Sequence, residues 1–350
     1  MMIRALCSIL FVTLAFQANP QENQPMKLVA TTPLPDFSGD FDHFGVDLKG
    51  NRLFLTAEEH KTVEVFDLKT GKRIHSITGF EEPHAMVYLP ETDRLIVTDG
   101  NEEGGMVRLV NGKDYKFLDT IKLRPNVDAG VFNPVNKYYY VEVGGSASKA
   151  QTHLLSIIDT KTFKHIGDIT VPGNRSEGMA IDRAGKKLYV NLTGTDEVGV
   201  VDLDRRQLVA KWPVPDAHVE NSMALDEDNH RLFIATRQPA KFFVYNTDTG
   251  KTVTVLPCAG FNDDMWFDAA RKRIYVTGSE TTSVFEQQDA DHYRSIAEVP
   301  TGYRARTSVF VPSLNRLYVA VSATGKRAVA RRQLRTPPAS SSYRERRRTR

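Results

Sequence analysis

Residues 178–203 read GMAIDRAGKKLYVNLTGTDEVGVVDL. Three runs in this stretch, GMAID, KLYVNL and VGVVDL, alternate apolar with polar or small residues, and RAGK and TGTDE join them. A period of two with β-branched enrichment marks strands, and Gly, Asp and Thr at the joints mark tight turns. No helical period runs through it. The stretch predicts three antiparallel strands in succession.

The same unit returns along the chain. A basic residue opening an apolar-aromatic strand recurs as RLFLT (52–56), RLIVT (94–98), KYYYV (137–141), KLYVN (187–191), RLFIA (231–235), RIYVT (273–277) and RLYVA (316–320). Successive copies are 42, 43, 50, 44, 42 and 43 residues apart. A small-residue strand such as GVDL or SMALD precedes each, and a third strand such as VEVFDL (63–68) or FFVYNT (242–247) follows. Turns such as DLKTGK and NTDTGK then lead to a fourth, as in RIHSI (73–77) and TVTVL (252–256). A four-stranded repeat of 40–45 residues is the signature of a propeller blade.

The ends predict how the array closes. KLVAT (27–31) precedes the first complete unit as an orphan strand, and the last unit, with TSVFV (307–311) and RLYVA, lacks a clear fourth. Pairing one with the other removes an exposed sheet edge. The expectation is an all-β, seven-bladed β-propeller of four-stranded antiparallel blades over 27–327, its ring closed by the N-terminal strand.

These repeats resemble the YVTN-type repeats of YncE-like β-propeller proteins. The likeness rests on YVNL, YVTG and YVAV with their preceding strands and covers 27–321. It implies a propeller fold in an exported protein and no particular activity. Related repeats occur in lactonase-type propellers and in quinoprotein amine dehydrogenase-like chains. Trp212 and Trp266 are too few for tryptophan-docked quinoprotein blades, so that likeness extends to fold alone.

Residues 1–18 have a basic start and the 14-residue apolar run ALCSILFVTLAFQA. That is short of the roughly 20 residues that span a bilayer, and predicts a signal peptide cleaved near 15–18, with an uncleaved anchor as the alternative. A linker follows over 19–26. No second hydrophobic span exists, so the expected location is periplasmic or secreted. Once the signal is removed, Cys258 is the lone cysteine and no internal disulfide can form.

The net charge of +3 conceals two regions. Residues 326–350 carry ten Lys and Arg against one acid, a local +9 that leaves about −6 on the rest. An acidic body argues against nucleic acid as a partner except through the basic tail. That tail, 328–350, departs from the repeat: AVARRQL (328–334) makes a poor strand, and the Arg/Ser/Pro-rich remainder cannot bury enough to order itself. It reads either as a tail for anionic surfaces or as the product of a shifted reading frame.

In a propeller the loops entering the innermost strands open onto one face. Nine or ten residues before each basic anchor stand His43, His84, Asp128, Glu177, Asn221, Asp263 and Arg306, with Asp42, Glu220 and Asp264 as neighbours. Polar residues in every blade, just before apolar strands, predict a ligand site at the channel mouth. Imidazoles and carboxylates converging there could hold a divalent cation, although no cofactor is identified. Turn-entering polar residues that merely satisfy loop backbone are the plain alternative. Charged loops on the same face, AEEHK (57–61), DGNEEGG (99–105), GGSASKAQTH (144–153), TDE (195–197), TRQPAK (236–241) and GSETT (278–282), form the rim.

No G-x-S-x-G elbow is present, Ser176 reads as a turn serine, and the remaining histidines fall on turns and outer strands without local Ser or Cys partners. The leading expectation is therefore a monomeric, non-enzymatic binding propeller for a small ligand or protein partner. A lactonase-like hydrolase with a polar or metal-assisted site is the alternative, and a DNA-binding propeller the third reading.

Overall fold

The computed structural model describes residues 24–37, 39–145 and 149–322, and the backbone of 329–335. The expected signal peptide, most of the linker and residues 336–350 lie outside the described residues. Within them the chain is an all-β propeller of four-stranded antiparallel blades. The regular structure is strand save one 3-10 turn at Pro312–Leu314.

Seven four-stranded sheets are present. Sheet 1 runs through Phe44–Asp47, Arg52–Ala57, Thr62–Asp67 and Arg73–Thr78 in sequential order. Sheets 2 to 6 repeat that order over 83–123, 127–172, 179–213, 218–257 and 264–300. The stretch that opened the sequence reading supplies Met179–Ile181, Lys187–Leu192 and Glu197–Asp202 of sheet 4, with Ala180 opposite Tyr189 and Tyr189 opposite Val200.

Sheet 7 is assembled from both ends of the chain, in the order Lys27–Thr31, Val329–Arg335, Arg316–Val321, Ser308–Val311. The sequence reading counted 328 onward as tail, with a poor strand at most. Val329–Arg335 is instead the third strand of this sheet, paired antiparallel on one edge with Arg316–Val321 and on the other with Lys27–Thr31. Hydrogen bonding from both neighbours supplies what local propensity withholds.

The turn ahead of each second strand carries a left-handed residue: Asn51, Asp93, Lys137, His230, Lys272 and Asn315, with φ between 48° and 64°, and Gly185 at 68° in sheet 4. Such a residue closes a type I turn into a hairpin with the strand twist. In sheets 1 and 5 the basic anchor beside it clasps the neighbouring sheet. Arg52 reaches Asp93 at 2.6 Å and Tyr88 Oη at 3.1 Å, while Arg231 reaches Asp291 at 2.6 Å and donates to the Ala290 carbonyl at 2.8 Å.

The core lies between sheets. Leu53, Leu55 and Phe66 of sheet 1 pack with Val309, Val311 and Tyr318 of sheet 7. Equivalent clusters join sheets 1 with 2, 2 with 3, 3 with 4, 4 with 5, 5 with 6 and 6 with 7. Fully buried aromatics dominate, each contributing about 1.5–3 kcal/mol of burial; the Tyr245 hydroxyl donates to the Pro213 carbonyl at 2.9 Å, whereas that of Tyr139 has no hydrogen-bond partner among the described residues.

Candidate functional site

The innermost strands converge because their first residues are held by the strand behind. Thr56 Oγ1 accepts from the His43 amide at 2.8 Å, and Thr98 Oγ1 donates to the Asp128 carbonyl at 2.8 Å. Asn191 Nδ2 donates to the carbonyls of Asn221 and Ser222, both at 3.2 Å. Gly178 adds a close approach: its amide donates to the Asn221 carbonyl at 2.7 Å, and a Cβ there would stand 2.3 Å from that oxygen. Backbones of adjacent sheets thus meet at the mouth and carry the variable side chains inward.

The sequence-predicted ring members do meet. His84 Nδ1 lies 3.0 Å from Asp42 and 3.8 Å from Asp128. His43 stands between Asp42 at 3.5 Å and Asp264 at 3.4 Å. Arg306 Nε lies 3.3 Å from Asp263, to which Asn221 Nδ2 also donates. Glu177 pairs with Arg175 at 3.3 Å. His43, Glu177, Asn221 and Asp263 line one central cavity of about 320 Å³, floored by apolar residues of the inner strands such as Met86 and Met223. His84 and Asp128 line a second, of about 520 Å³, over sheets 2 to 4.

Glu220, named as a neighbour, stands apart from this network. Its side chain is buried with both carboxyl oxygens unpartnered among the described residues, and burial pushes its pKa up to about 8. Among the other histidines, His153 is buried in the third strand of sheet 3 and His218 opens the innermost strand of sheet 5, neither on a turn nor on an outer strand. No Ser or Cys partners a histidine among the described residues.

Protonation follows from the partners. Both ring nitrogens of His84 face acceptors, Asp42 and the Gly100 carbonyl, each at 3.0 Å. Both nitrogens of His43 face carboxylates. An imidazole facing two acceptors donates at both, so each is an imidazolium. Burial opposes these charges, but Asp128 and Asp42 around His84, and Asp42 and Asp264 around His43, hold both pKa values well above the ordinary histidine range. Burial likewise raises Asp42, yet His43 and His84 outweigh it and hold that carboxylate well below its ordinary value.

The other carboxyls move up. Burial, then Asp42, pushes Glu58 to about 8. Burial, then Asp128, pushes Glu177 to about 7. Burial raises Glu142 well above the ordinary range, with Asp128 and Glu177 adding to it, and burial also raises Asp128 and Asp264.

Asp42, Glu58 and His84 each offer a donor atom within 4.8 Å of the others, a mixed oxygen and nitrogen set of the kind that can hold a divalent cation. The hydrogen bonding opposes that role: His84 carries protons on both nitrogens, and a metal needs the neutral ring. The triad is already an ion pair, Asp42 with His84, with a second carboxyl, Glu58, beside it.

Arg237, Arg304, Phe261, Glu58, Asp40 and Glu142 escaped the sequence reading as individual residues. Arg237 and Arg304, with the expected Arg306, surround the half-exposed ring of Phe261, at 4.6, 5.6 and 5.4 Å from its centre. Arg237 binds Asp263 at 2.9 Å, Arg304 binds Asp40, and Arg306 also reaches Glu58 at 3.4 Å. Glu58 and Arg237 belong to rim loops flagged for charge. Glu142 is the penultimate residue of a second strand, Tyr138–Val143, where the sequence offered no sign of a site.

Comparisons with known proteins bear on the fold. No family model matches the chain, and no curated protein matches it in sequence. Among solved structures, a chain from "Crystal Structure of Mitotic Checkpoint Complex" aligns over 94% of this protein and 98% of its own length, at 13% identity and a TM-score of 0.71. A chain of Kuenenia stuttgartiensis hydrazine synthase aligns over 92% and 99%, at 16% identity and a TM-score of 0.69. Both are similar in fold, and at this identity the likeness extends no further. The resemblance to YVTN repeats gains no support of its own from these matches.

Proposed function

We propose that this protein is a non-enzymatic binding propeller that holds a small polar ligand or protein partner at the channel mouth. The observation that carries this reading is convergence. Residues as far apart in sequence as His43 and Asp264, or Glu58 and Arg306, meet in one enclosed polar site above a cavity of about 320 Å³. Burying such charges costs more than a hydrophobic replacement would, so a rigid scaffold that keeps them around an open cavity is organised for binding.

On this reading the seven sheets close into one seven-bladed ring of the YVTN-repeat type. Support comes from the cluster joining sheets 7 and 1, from Thr307 Oγ1 donating to the Phe41 carbonyl at 3.2 Å, and from Ser322 donating to Asp40 at 2.8 Å. Export to a periplasm or to the exterior is part of the proposal and rests on the apolar run of residues 5–18. Among the described residues no helix is long and apolar enough to cross a membrane. A similar propeller chain comes from a structure titled as a complex, which favours a protein as one kind of partner.

The test is a thermal-shift screen of the purified protein against metals, sugars, lactones and peptides. A hit whose shift disappears in Glu177→Gln and Asp263→Asn is expected. Hits that persist in both variants place binding elsewhere and overturn the reading.

A further inference from the structure

The larger cavity, about 520 Å³ between the mouth ends of sheets 2, 3 and 4, is lined by five carboxyl groups: Glu82, Glu102, Glu103, Asp128 and Glu142. Its two cations are already engaged. His84 is bound most closely to Asp42, outside the lining, and lies 3.8 Å from Asp128 within it, while Arg175 is bound to Glu177, also outside the lining. Among the described residues Glu82, Glu102 and Glu103 have no ion pair. The concavity therefore keeps an uncompensated negative field, strengthened by its low-dielectric walls.

Two groups in the lining mark where a ligand would sit. Ser176 is 1% exposed, and its hydroxyl has no hydrogen-bond partner among the described residues. A buried hydroxyl left unpaired is unfavourable, so it normally has a partner. Glu142, also 1% exposed, occupies the strand position that holds Thr56, Thr98 and Thr277 in sheets 1, 2 and 6. Those threonines serve the scaffold by bonding to the inner strands. Among the described residues Glu142 instead accepts only a long bond, from the Ser176 amide at 3.4 Å. The acid does little for the fold and lies beside the orphaned hydroxyl.

We propose that this cavity binds a primary alkylammonium group, with Asp128 and Glu142 as ion-pair partners and Ser176 Oγ as a hydrogen-bond acceptor. An ammonium carries three donors and no acceptor, which suits two carboxylates and a hydroxyl. A free diamine and the lysine side chain of a peptide both present it. The inference rests on the proposed binding role and names the ligand chemistry of the same face. Burial, then Asp128 and Glu177, raises the Glu142 pKa against the opposing charge of Arg175, so ammonium binding displaces protons and tightens as pH rises.

The experiment is calorimetric titration of the full chain with putrescine, with Nα-acetyl-lysine amide and with magnesium. Saturable binding of at least one amine is expected, about tenfold weaker in Asp128→Asn and in Glu142→Gln, and weaker by several-fold in Ser176→Ala. Putrescine alone binding identifies a free amine, and the lysine amide alone a peptide side chain; either supports the inference. Absence of amine binding at about 5 mM, roughly the millimolar floor of a specific site, overturns it. So does magnesium binding with equal sensitivity to the three variants, since that is charge attraction without ammonium geometry.

Unfolded variants are excluded by requiring native circular dichroism, and the conservative Glu142→Asp keeps partial binding if the carboxylate is the contact. If amines fail while another ligand gives a shift abolished by Glu177→Gln and Asp263→Asn, the inference falls and the mouth reading stands. If amine binding withstands both of those variants yet fails in Asp128→Asn, the reverse holds.

Discussion

Two arcs of the mouth use the same residue types in opposite ways. On the arc of sheets 5, 6, 7 and 1, acids alternate with cations: Arg237 and Arg306 share Asp263, Arg304 and Arg306 share Asp40, and His43 bridges Asp42 and Asp264. On the arc of sheets 2 to 4, carboxyls outnumber cations: Glu177 pairs with Arg175 and Asp128 shares His84, while Glu142, Glu82, Glu102 and Glu103 have no ion pair among the described residues. Burial raises Asp128, Glu142 and Glu177 in pKa. Matched charges fix a shape, whereas unmatched charges leave a field for something else to neutralise. Identical propeller geometry thus carries a finished surface on one side and an unfinished one on the other.

Removing a cation from each arc breaks the comparison most strongly. Arg306→Met strips Glu58, Asp40 and Asp263 of a shared partner in a buried setting, and a loss of about 3–5 kcal/mol in urea unfolding at pH 7 is expected. Arg175→Met leaves only Glu177, whose pKa near 7 lets it take a proton and shed its charge. Its expected loss is about 1 kcal/mol. Equal losses would erase the distinction between the arcs.

Stability against pH gives the next largest effect. Glu58, Glu177, His43 and His84 all have folded pKa values above their ordinary ones. Each holds a proton in the fold at pH values where the unfolded chain has released it. Their combined contribution is fullest below about pH 4.5, the ordinary glutamate value, and declines as pH rises through 7 and 8. Asp42 has the opposite sign and weakens the fold only in strong acid. Urea midpoints measured at pH 5, 7 and 9 should therefore fall in that order. Glu177→Gln should remove the part of the fall centred near 7, and Glu58→Gln the part near 8. A midpoint that rises from pH 5 to pH 9 would contradict the proton assignment at the mouth.

The strands were legible because most of them alternate and because Gly, Asp and Asn mark their turns. The basic anchors were visible as a repeat, but their purpose was not. Arg52 and Arg231 clasp the next sheet, and no local pattern reveals a partner about 40 or 60 residues away. The ring positions were found because they break an otherwise uniform register just before the inner strands. Glu142 was missed for a physical reason: between two valines it looks like the solvent face of a half-buried strand. Second strands here are buried on both faces, as in RLFLTA and YYYVEV, so that polar position points into protein. Val329–Arg335 was undervalued because its arginines argue against a strand, while its two paired neighbours require one.

The smallest effect sharpens the same contrast at one strand position. Thr56 and Glu142 are equivalents in sheets 1 and 3, yet only the threonine serves the backbone, exchanging bonds with the His43 amide and carbonyl at 2.8 and 3.1 Å. Thr56→Val orphans the His43 amide, while the His43 carbonyl keeps the backbone amide of residue 56, and is expected to cost about 1–2 kcal/mol at any pH. Glu142→Gln keeps the shape and an acceptor for the Ser176 amide while removing the acid. Burial holds the Glu142 carboxyl toward its neutral form, so Glu142→Gln is expected to change stability less at pH 5.5 than at pH 9, where the acid is driven toward its buried charge and a gain of about 1 kcal/mol is expected. A loss at both pH values would mean that Glu142 serves the scaffold as Thr56 does, and the acidic arc would then be architecture like its counterpart.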